Sequence, residues 1–331
     1  MRDAAVLHGA NAAYDAARAR AIVVTRDDRA QLRAHGRDPG RMIQGLITND
    51  LDRAGARQAV YAALLTPKGR MVADLRVVRN DDGSLLLDFD RSALDAVLAH
   101  LKKYVPPMFA RFEKPEPALA VLGVYGPNAA AIVRSALSLD APDDAVEYAI
   151  AREADALAIA SRDAGLPGFD VFVPMERAHD AREALLGAGA AHGDMETLEL
   201  LRVEAGRPRW GAELDDERIP LEANLLDRAI STTKGCYTGQ EVIIRILHRG
   251  HVNRHLRGLL LGDAAVPPAG TELTTVDGAK PVARVTSAIR SPALGQTVAL
   301  AYVRREIEPG ATLRLADGGM ATVAELPFNA D

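Results

Sequence analysis

Along residues 71–79 the side chains sort with a period of two. Met71, Ala73, Leu75 and Val77 share one face, and Val72, Asp74, Arg76 and Val78 share the other, the pattern of a β-strand. Apolar stretches at 60–65 and 85–89 flank it. Between them lie Thr66-Pro67-Lys68-Gly69 and Asn80-Asp81-Asp82-Gly83, both strong turn signals, so the region predicts a three-strand meander. The period then changes to that of a helix over 92–104, with Leu94, Val97, Leu98 and Leu101 on its stripe. Ahead of the meander, an Ala-rich lead-in at 1–20 precedes a short strand at 21–25. A charged helix is expected from about Arg29, and a second helix ends within 42–50.

The same texture returns after the prolines at 106–107, 115 and 117. A strand at 119–125 leads into a helix opened by Gly126-Pro127-Asn128, with proline in its first turn. Strands near 146–151, 156–160 and 169–173 precede a helix at 176–186, and another helix spans 194–205 with Gly206 as its cap. Residues 207–233 are irregular, and a run that long inside a compact region marks a functional segment. From Arg254 onward, short strands alternate with Pro-Pro, Asp-Gly and Pro-Gly turns, as in a small all-β barrel. The reading is an α+β chain of two similar antiparallel-sheet modules closed by a barrel, divided at 1–115, 116–250 and 251–331. No GxGxxG follows a strand, so a dinucleotide-binding unit has no support.

A length of 331 residues exceeds one typical core, in line with several domains. Hydrophobic residues at 48% and charged residues at 26% are ordinary for a water-soluble globular chain. The net charge of −5 and the lack of a Lys/Arg run disfavour nucleic acid as the principal ligand, so no direct nucleic-acid binding is expected. A single cysteine rules out an internal disulfide or a four-cysteine cluster held by this chain alone, and fits a reducing compartment. No run approaches the ~20 apolar residues of a membrane span. The chain is therefore read as cytoplasmic, without a membrane partner.

The one cysteine stands in Lys234-Gly235-Cys236-Tyr237-Thr238-Gly239-Gln240-Glu241. Thr238 and Glu241 have capping-box spacing and predict a helix start at Gly239, with Val242, Ile243, Ile246 and Leu247 on its apolar stripe. A thiol just outside a helix N-terminus and beside Lys234 sits where positive charge favours thiolate. A lone cysteine is more often a small buried hydrophobe, but its Gly/Lys/Tyr setting favours a working role. Asp74 interrupts an apolar strand, either as a surface partner of Arg76 or as a carboxylate in a cavity, able to bind an amine or move a proton. Glu204 falls in the last turn of its helix, against the macrodipole. Either Arg202 or Arg207 neutralises it, or it is offered to a donor-rich ligand. Arg245, His248 and Arg249 form a solvated face or receive an anionic tail. His248, His251 and His255 resemble metal ligands by spacing, but Gly250 breaks any shared helix, so no metal is expected.

The octapeptide resembles the K-G-C-Y-x-G-Q-E signature of the YgfZ-type folate-binding family, relatives of the glycine cleavage T-protein (aminomethyltransferase). Further similarity runs through Leu201-Arg202-Val203-Glu204-Ala205-Gly206, Gln44–Asp50 and Lys68-Gly69-Arg70, and covers nearly the whole chain. The T-protein itself has a K-x-D-F-I-G-like stretch in place of the cysteine motif. The resemblance implies a ring of α+β, ferredoxin-like modules plus a C-terminal barrel, with tetrahydrofolate or a one-carbon derivative in a central cavity. It places Glu204 at the pterin and Asp74 at the reacting aminomethyl group, and Arg245 and Tyr104 are assigned with them to the cofactor. Cys236 and Asp74 are the residues expected to carry chemistry. The implied role is that of an accessory factor for assembly or repair of iron–sulfur client proteins, including enzymes of tRNA methylthiolation. The alternative is an aminomethyltransferase or demethylase that moves a one-carbon unit to tetrahydrofolate.

Overall fold

The structure, a computed structural model, describes residues 4–143 and 145–328, with the side chains of 4–11 left aside. Its first sheet is antiparallel and five-stranded, in the order Val60–Leu65, Met71–Arg79, Leu85–Asp90, Arg29–His35, Arg111–Glu113. The meander read from the sequence forms one half of it. Arg29–His35 is a strand and not the charged helix expected there. Ala30, Leu32 and Ala34 are buried while the residues between them are only partly so, a period of two that the many charges mask. Ala73, Leu75 and Val77 pack with Phe89 against Val97 and Leu101 of helix Leu94–Tyr104. At a bulge opposite Leu64 and Leu65 the register shifts, so Met71 joins a different cluster with Leu65, Tyr237 and Ile243.

The second sheet has six strands, in the order Ala191–His192, Ile22–Thr25, Leu119–Tyr125, Gly168–Pro174, Ala156–Ser161, Ile150–Glu153. Ile22–Thr25 pairs with Leu119–Tyr125, so the division of the chain at residue 115 does not follow the sheets. Residues beyond 200 cross over as well. Val203, Leu225, Ala229, Tyr237 and Ile243 bury themselves against Tyr61, Ala63 and Leu65 of the first sheet and Leu256, Leu300 and Tyr302 of the barrel. Chain order and spatial order differ here because each sheet has an apolar face that only a distant segment covers.

The C-terminal barrel is closed by six strands: Arg254–Leu260, Gln296–Arg304, Pro281–Ser291, Glu272–Thr275, Thr312–Leu315 and Met320–Ala324. Closure leaves no free strand edge. The barrel docks through Glu213, fully buried, which accepts hydrogen bonds from Arg202 (2.8 Å), Ser287 (2.7 Å) and Thr286 (2.8 Å).

The two sheets meet face to face along a seam that is partly apolar and partly ionic. Ala59, Val78 and Leu86 of one side meet Val121, Ile159 and Phe172 of the other. Beside them Arg76 pairs with Asp88 of its own sheet (2.6 Å) and with Asp170 of the opposite sheet. Arg26 holds Asp28 (2.9 Å) and also reaches Asp170 (3.3 Å), while Arg29 donates to Asp88. Tyr125 donates to Asp170 as well. Its ring lies over Gly123 and Gly168, where a Cβ would sit 2.5 Å from ring atoms. Both glycines are required for that close approach.

Truncating one member of a buried ionic set leaves the others uncompensated, which costs about 3–5 kcal/mol. Asp170→Ala is therefore expected to lower the unfolding free energy by about that amount. Asp143→Ala, which removes an exposed pair with Arg134, is expected to change it by less than about 1 kcal/mol. Urea denaturation midpoints of both variants check the contrast, and equal losses would mean the seam is not what joins the sheets.

Candidate functional site

Asp74 and Arg76 point from the first sheet toward the second, and a narrow cavity opens beside them. Its other walls come from Asp163 after strand Ala156–Ser161, from helix Met195–Glu204, and from the 207–210 segment with Trp210. Tyr61 and Tyr148 stack with centroids 5.4 Å apart, an aromatic wall inside a polar cavity. Arg228 lies 5.0 Å from the Tyr61 ring centroid and donates to Tyr148 Oη (2.6 Å) and Glu147 (2.9 Å).

Asp74 Oδ1 is one of the cavity's buried polar atoms without a partner among the described residues, together with Arg209 Nε and Arg228 Nε. The other oxygen of Asp74, Oδ2, accepts from Tyr61 Oη at 3.0 Å. Burial raises its pKa above the usual carboxylate value, against the pull of Arg29 and Tyr61, and the negative charge of Asp163 adds to the rise. A carboxylate held in this way accepts a donor from a ligand readily. The partnership with Arg76 that the strand pattern allowed does not form, because Arg76 turns to Asp88 and Asp170.

Helix Met195–Glu204 is capped by Asp194, which accepts from Thr197 N at 2.7 Å. Its 3.6-residue period divides its side chains between two clefts. Met195, Leu198, Glu199 and Arg202 line the Asp74 cavity. Leu201, Glu204 and Ala205 line a second, wider cleft, shared with Leu294 and Phe328. Glu204 thus lines the second cleft, which adjoins the Asp74 cavity through the shared wall of Arg207, Pro208 and Arg228. It is not neutralised by Arg202 or Arg207. Arg202 pairs with Glu199 and Glu213, and Arg207 with Glu147. Glu204 instead accepts from Tyr14 Oη (2.7 Å), Ser291 Oγ and Ala293 N (3.3 Å), with Arg18 at 3.7 Å.

Cys236 is exposed and lines neither cleft. The loop around it is clamped on both sides. Lys234 Nζ donates to the carbonyls of Gln44 (2.7 Å), Ile47 (2.8 Å) and Asn49 (2.8 Å), and its burial brings its pKa down to about 8. That ammonium is engaged with the 44–49 segment, so its charge does not serve the thiol as the sequence order suggested. Tyr237 is buried, and Thr238 N donates to the Gly45 carbonyl (3.0 Å). No capping box forms at Thr238. Helix Gln240–Arg249 starts instead from Gly239 at φ +84°, where a Cβ would sit 2.7 Å from the Thr66 carbonyl. Arg245 projects from that helix into solvent, and Tyr104 packs against the first-sheet core beside His100. Neither lines the Asp74 cavity.

A model described as "GCVT N-terminal domain" matches residues 4–234, and one described as "Glycine cleavage T-protein C-terminal barrel domain" matches residues 254–329. The chain belongs to the glycine cleavage T-protein family. An aminomethyltransferase from Rubrobacter xylanophilus is 29% identical, over 97% of this chain and 86% of its own. The tRNA-modifying protein YgfZ from Yersinia pestis is 30% identical, over 92% of this chain and 91% of its own. The glycine cleavage system aminomethyltransferase T from Bartonella henselae superposes with a TM-score of 0.86 at 21% identity, covering 97% of this chain and 90% of its own. That likeness establishes the shared fold of paired α+β modules and closing barrel. Among the described residues of this T-protein family member, no helix is long and apolar enough to cross a membrane.

Sequence reasoning missed Tyr61, Tyr148, Asp163, Glu199 and Arg228 as members of the cavity. Only the charged residue inside an apolar strand, Asp74, carried a signal that one sequence displays.

The raised pKa of Asp74 has a consequence for stability. Below the usual carboxylate range, about pH 4, Asp74 is protonated folded or unfolded and carries no penalty. As pH rises through its raised folded value, the buried charge forms and stability is lost. Asp74→Asn is expected to be more stable than wild type at pH 7.5 by about 1–2 kcal/mol, with the gap closing toward pH 4. Denaturant midpoints across that range, without ligand, test this. An Asn variant less stable at pH 7.5 would show that Asp74 is satisfied.

Proposed function

We propose that this chain binds a tetrahydrofolate in the Asp74 cavity and acts on a protein partner through the separate face that carries Cys236. Its role in this reading is that of an accessory factor for iron–sulfur enzymes, including those that modify tRNA. The observation that carries it is the separation of the two features: an enclosed cavity with an unpartnered carboxylate, and an exposed thiol outside it. One catalytic centre would need both in a single pocket. The name of the Yersinia relative, a tRNA-modifying protein, supports the biological setting.

The residues fit a reduced pterin. Its ring carries several N–H donors, which Asp74 Oδ1 lacks and is placed to accept. The Tyr61–Tyr148 wall offers a face for a planar ring, and Trp210 closes another side. When bound, tetrahydrofolate supplies nitrogens able to accept a one-carbon unit. This chain's residues would position the ring, exclude bulk water and hold a proton at Asp74. The two anchors around Cys236, Lys234 and Tyr237, present the thiol without letting it collapse into the fold. The thiol would contact the partner transiently.

A second reading, aminomethyl transfer to tetrahydrofolate, is favoured by Asp74 itself. A carboxylate with a raised pKa can orient an amine and take its proton. The Rubrobacter relative bears that activity's name.

Titrating folinic acid while following Trp210 fluorescence is expected to give saturable binding in wild type and weaker binding in Asp74→Asn. No saturable signal would remove folate from the reading. In a strain that lacks its own family member, wild type should restore iron–sulfur enzyme activity, and Cys236→Ala should not. Equal rescue by the alanine variant would rule out the working thiol. Formation of methylene-tetrahydrofolate from an aminomethylated carrier protein would decide for the transferase.

A further inference from the structure

Away from the folate cavity, we infer that the face formed by helix Gln240–Arg249 and the entrance to the barrel binds the phosphate backbone of a folded RNA. It rests on the proposed setting in tRNA modification only for the choice of RNA. The net charge of −5 and the missing Lys/Arg run hide this face in the sequence, because its cations come from three distant stretches of chain. Val242, Arg245 and Arg249 recur at i, i+3 and i+7 and form one stripe of the helix. Val242 is the part of that stripe that meets Gly69, where a Cβ would sit 2.9 Å from its side chain. The two arginines therefore rise on the side of the turn that carries Lys68 and Arg70. Arg70 and Arg254 line one open groove, and Arg254 and Arg305 line the next, with Asn253 common to both. Arg305 N donates to the Asn253 carbonyl (3.1 Å) and fixes that junction.

Among the described residues, Lys68, Arg70, Arg245, Arg249, Arg254 and Arg305 form no ion pair and donate no side-chain hydrogen bond. All are exposed except Arg254, which is half-buried. Arg304 beside them is already engaged, by Glu306 at 3.6 Å. Unspent cations gathered on one face of a chain that is acidic as a whole suit a polyanion. Arginine predominates, and its guanidinium takes phosphate oxygens in pairs. A stable protein interface is built around an apolar or aromatic centre, whereas the exposed large apolar residues of this chain, such as Met108, Met175 and Val266, all lie elsewhere. A nucleic-acid backbone needs no such centre. Nor do residues 66–70, 240–254 or 304–306 include a Phe, Tyr or Trp on which an unstacked base could lie. The face is therefore suited to backbone and shape, as a folded RNA presents them, and not to single-stranded bases. Asp216, Glu217 and Glu222 border the groove of Arg70 and limit the face on that side.

Fluorescence anisotropy of end-labelled tRNA, titrated with the full chain, tests this. Wild type is expected to bind and to lose roughly 10²- to 10³-fold in affinity between about 50 and 200 mM salt, as about four to six phosphate contacts require. The double variants Arg249→Gln with Arg305→Gln, and Arg70→Gln with Arg254→Gln, should each bind roughly ten-fold or more weakly, with the salt slope lowered by about two. Arg314→Gln, at an exposed arginine of the barrel outside both grooves, should bind as wild type. Melting temperature and folinic acid binding should be those of wild type in all three. Absence of tRNA binding at the lower salt, or binding that both double variants retain in full, overturns the inference. Polyglutamate that displaces the label as well as unlabelled tRNA does would give the face to an acidic protein, and equal displacement by duplex DNA would overturn the choice of RNA. Wild type that binds tRNA but not folinic acid removes the folate reading and leaves this one standing, and the converse removes this one alone.

Discussion

The contact between Arg76 and Asp170 is the one on which the rest of the arrangement depends. It joins strand Met71–Arg79 of one sheet to strand Gly168–Pro174 of the other. Asp88, Arg26, Arg29 and Tyr125 surround it, so that each charge has partners. Two wholly apolar faces would have collapsed onto each other and left no space. An ionic seam imposes its own geometry, since buried charges are tolerated only where hydrogen bonds satisfy them. The cavity opens beside that seam, two residues along the same strand face, at Asp74. There Asp74 Oδ1 is buried without a partner among the described residues.

A second division of labour follows from helix Met195–Glu204. Its period turns Glu199 and Arg202 toward the cavity and Glu204 toward the other cleft. Arg202 then reaches past the helix to Glu213 and Ser287, fastening the barrel. Cavity, barrel and N-terminal helix are thereby fixed to one element. The cysteine loop hangs from a different anchor, the carbonyls of the 44–49 segment that Lys234 binds. Ligand cavity and thiol thus sit on separate supports, joined through the first sheet, and neither needs the other for its geometry.

Local pattern was a good guide where a segment's neighbours are close in sequence. The meander with its two turns, helix Leu94–Tyr104 with its Leu/Val stripe and the Asp194 cap all have the form their residues imply. It misled where a distant contact overrides local preference. Arg29–His35 is charged enough to look helical, yet Arg29 is needed by Asp88, Arg33 pairs with Asp82, and the alanines are needed by the core. Thr238 and Glu241 have capping-box spacing, but the close approach of Thr66 requires Gly239 as the cap. Lys234 stands beside Cys236 in sequence, while its ammonium reaches back to residues 44–49.

The sequence by itself determined the fold family, the closing barrel, the short lead-in strand and the singular cysteine loop, because those rest on periodicity, turn residues and a contiguous motif. Only the tertiary structure decided which carboxylates share a cavity. Asp74, Asp163 and Glu199 come from a strand, a turn and a helix that are well separated along the chain. Glu204 lies five residues from Glu199 and yet faces another cleft. Whether a carboxylate is free or engaged depends on partners such as Tyr14 and Ser291, which no local pattern connects to it. Hydrophobic patterning specifies which faces are buried, and the pairing of buried charges is specified only when those faces meet.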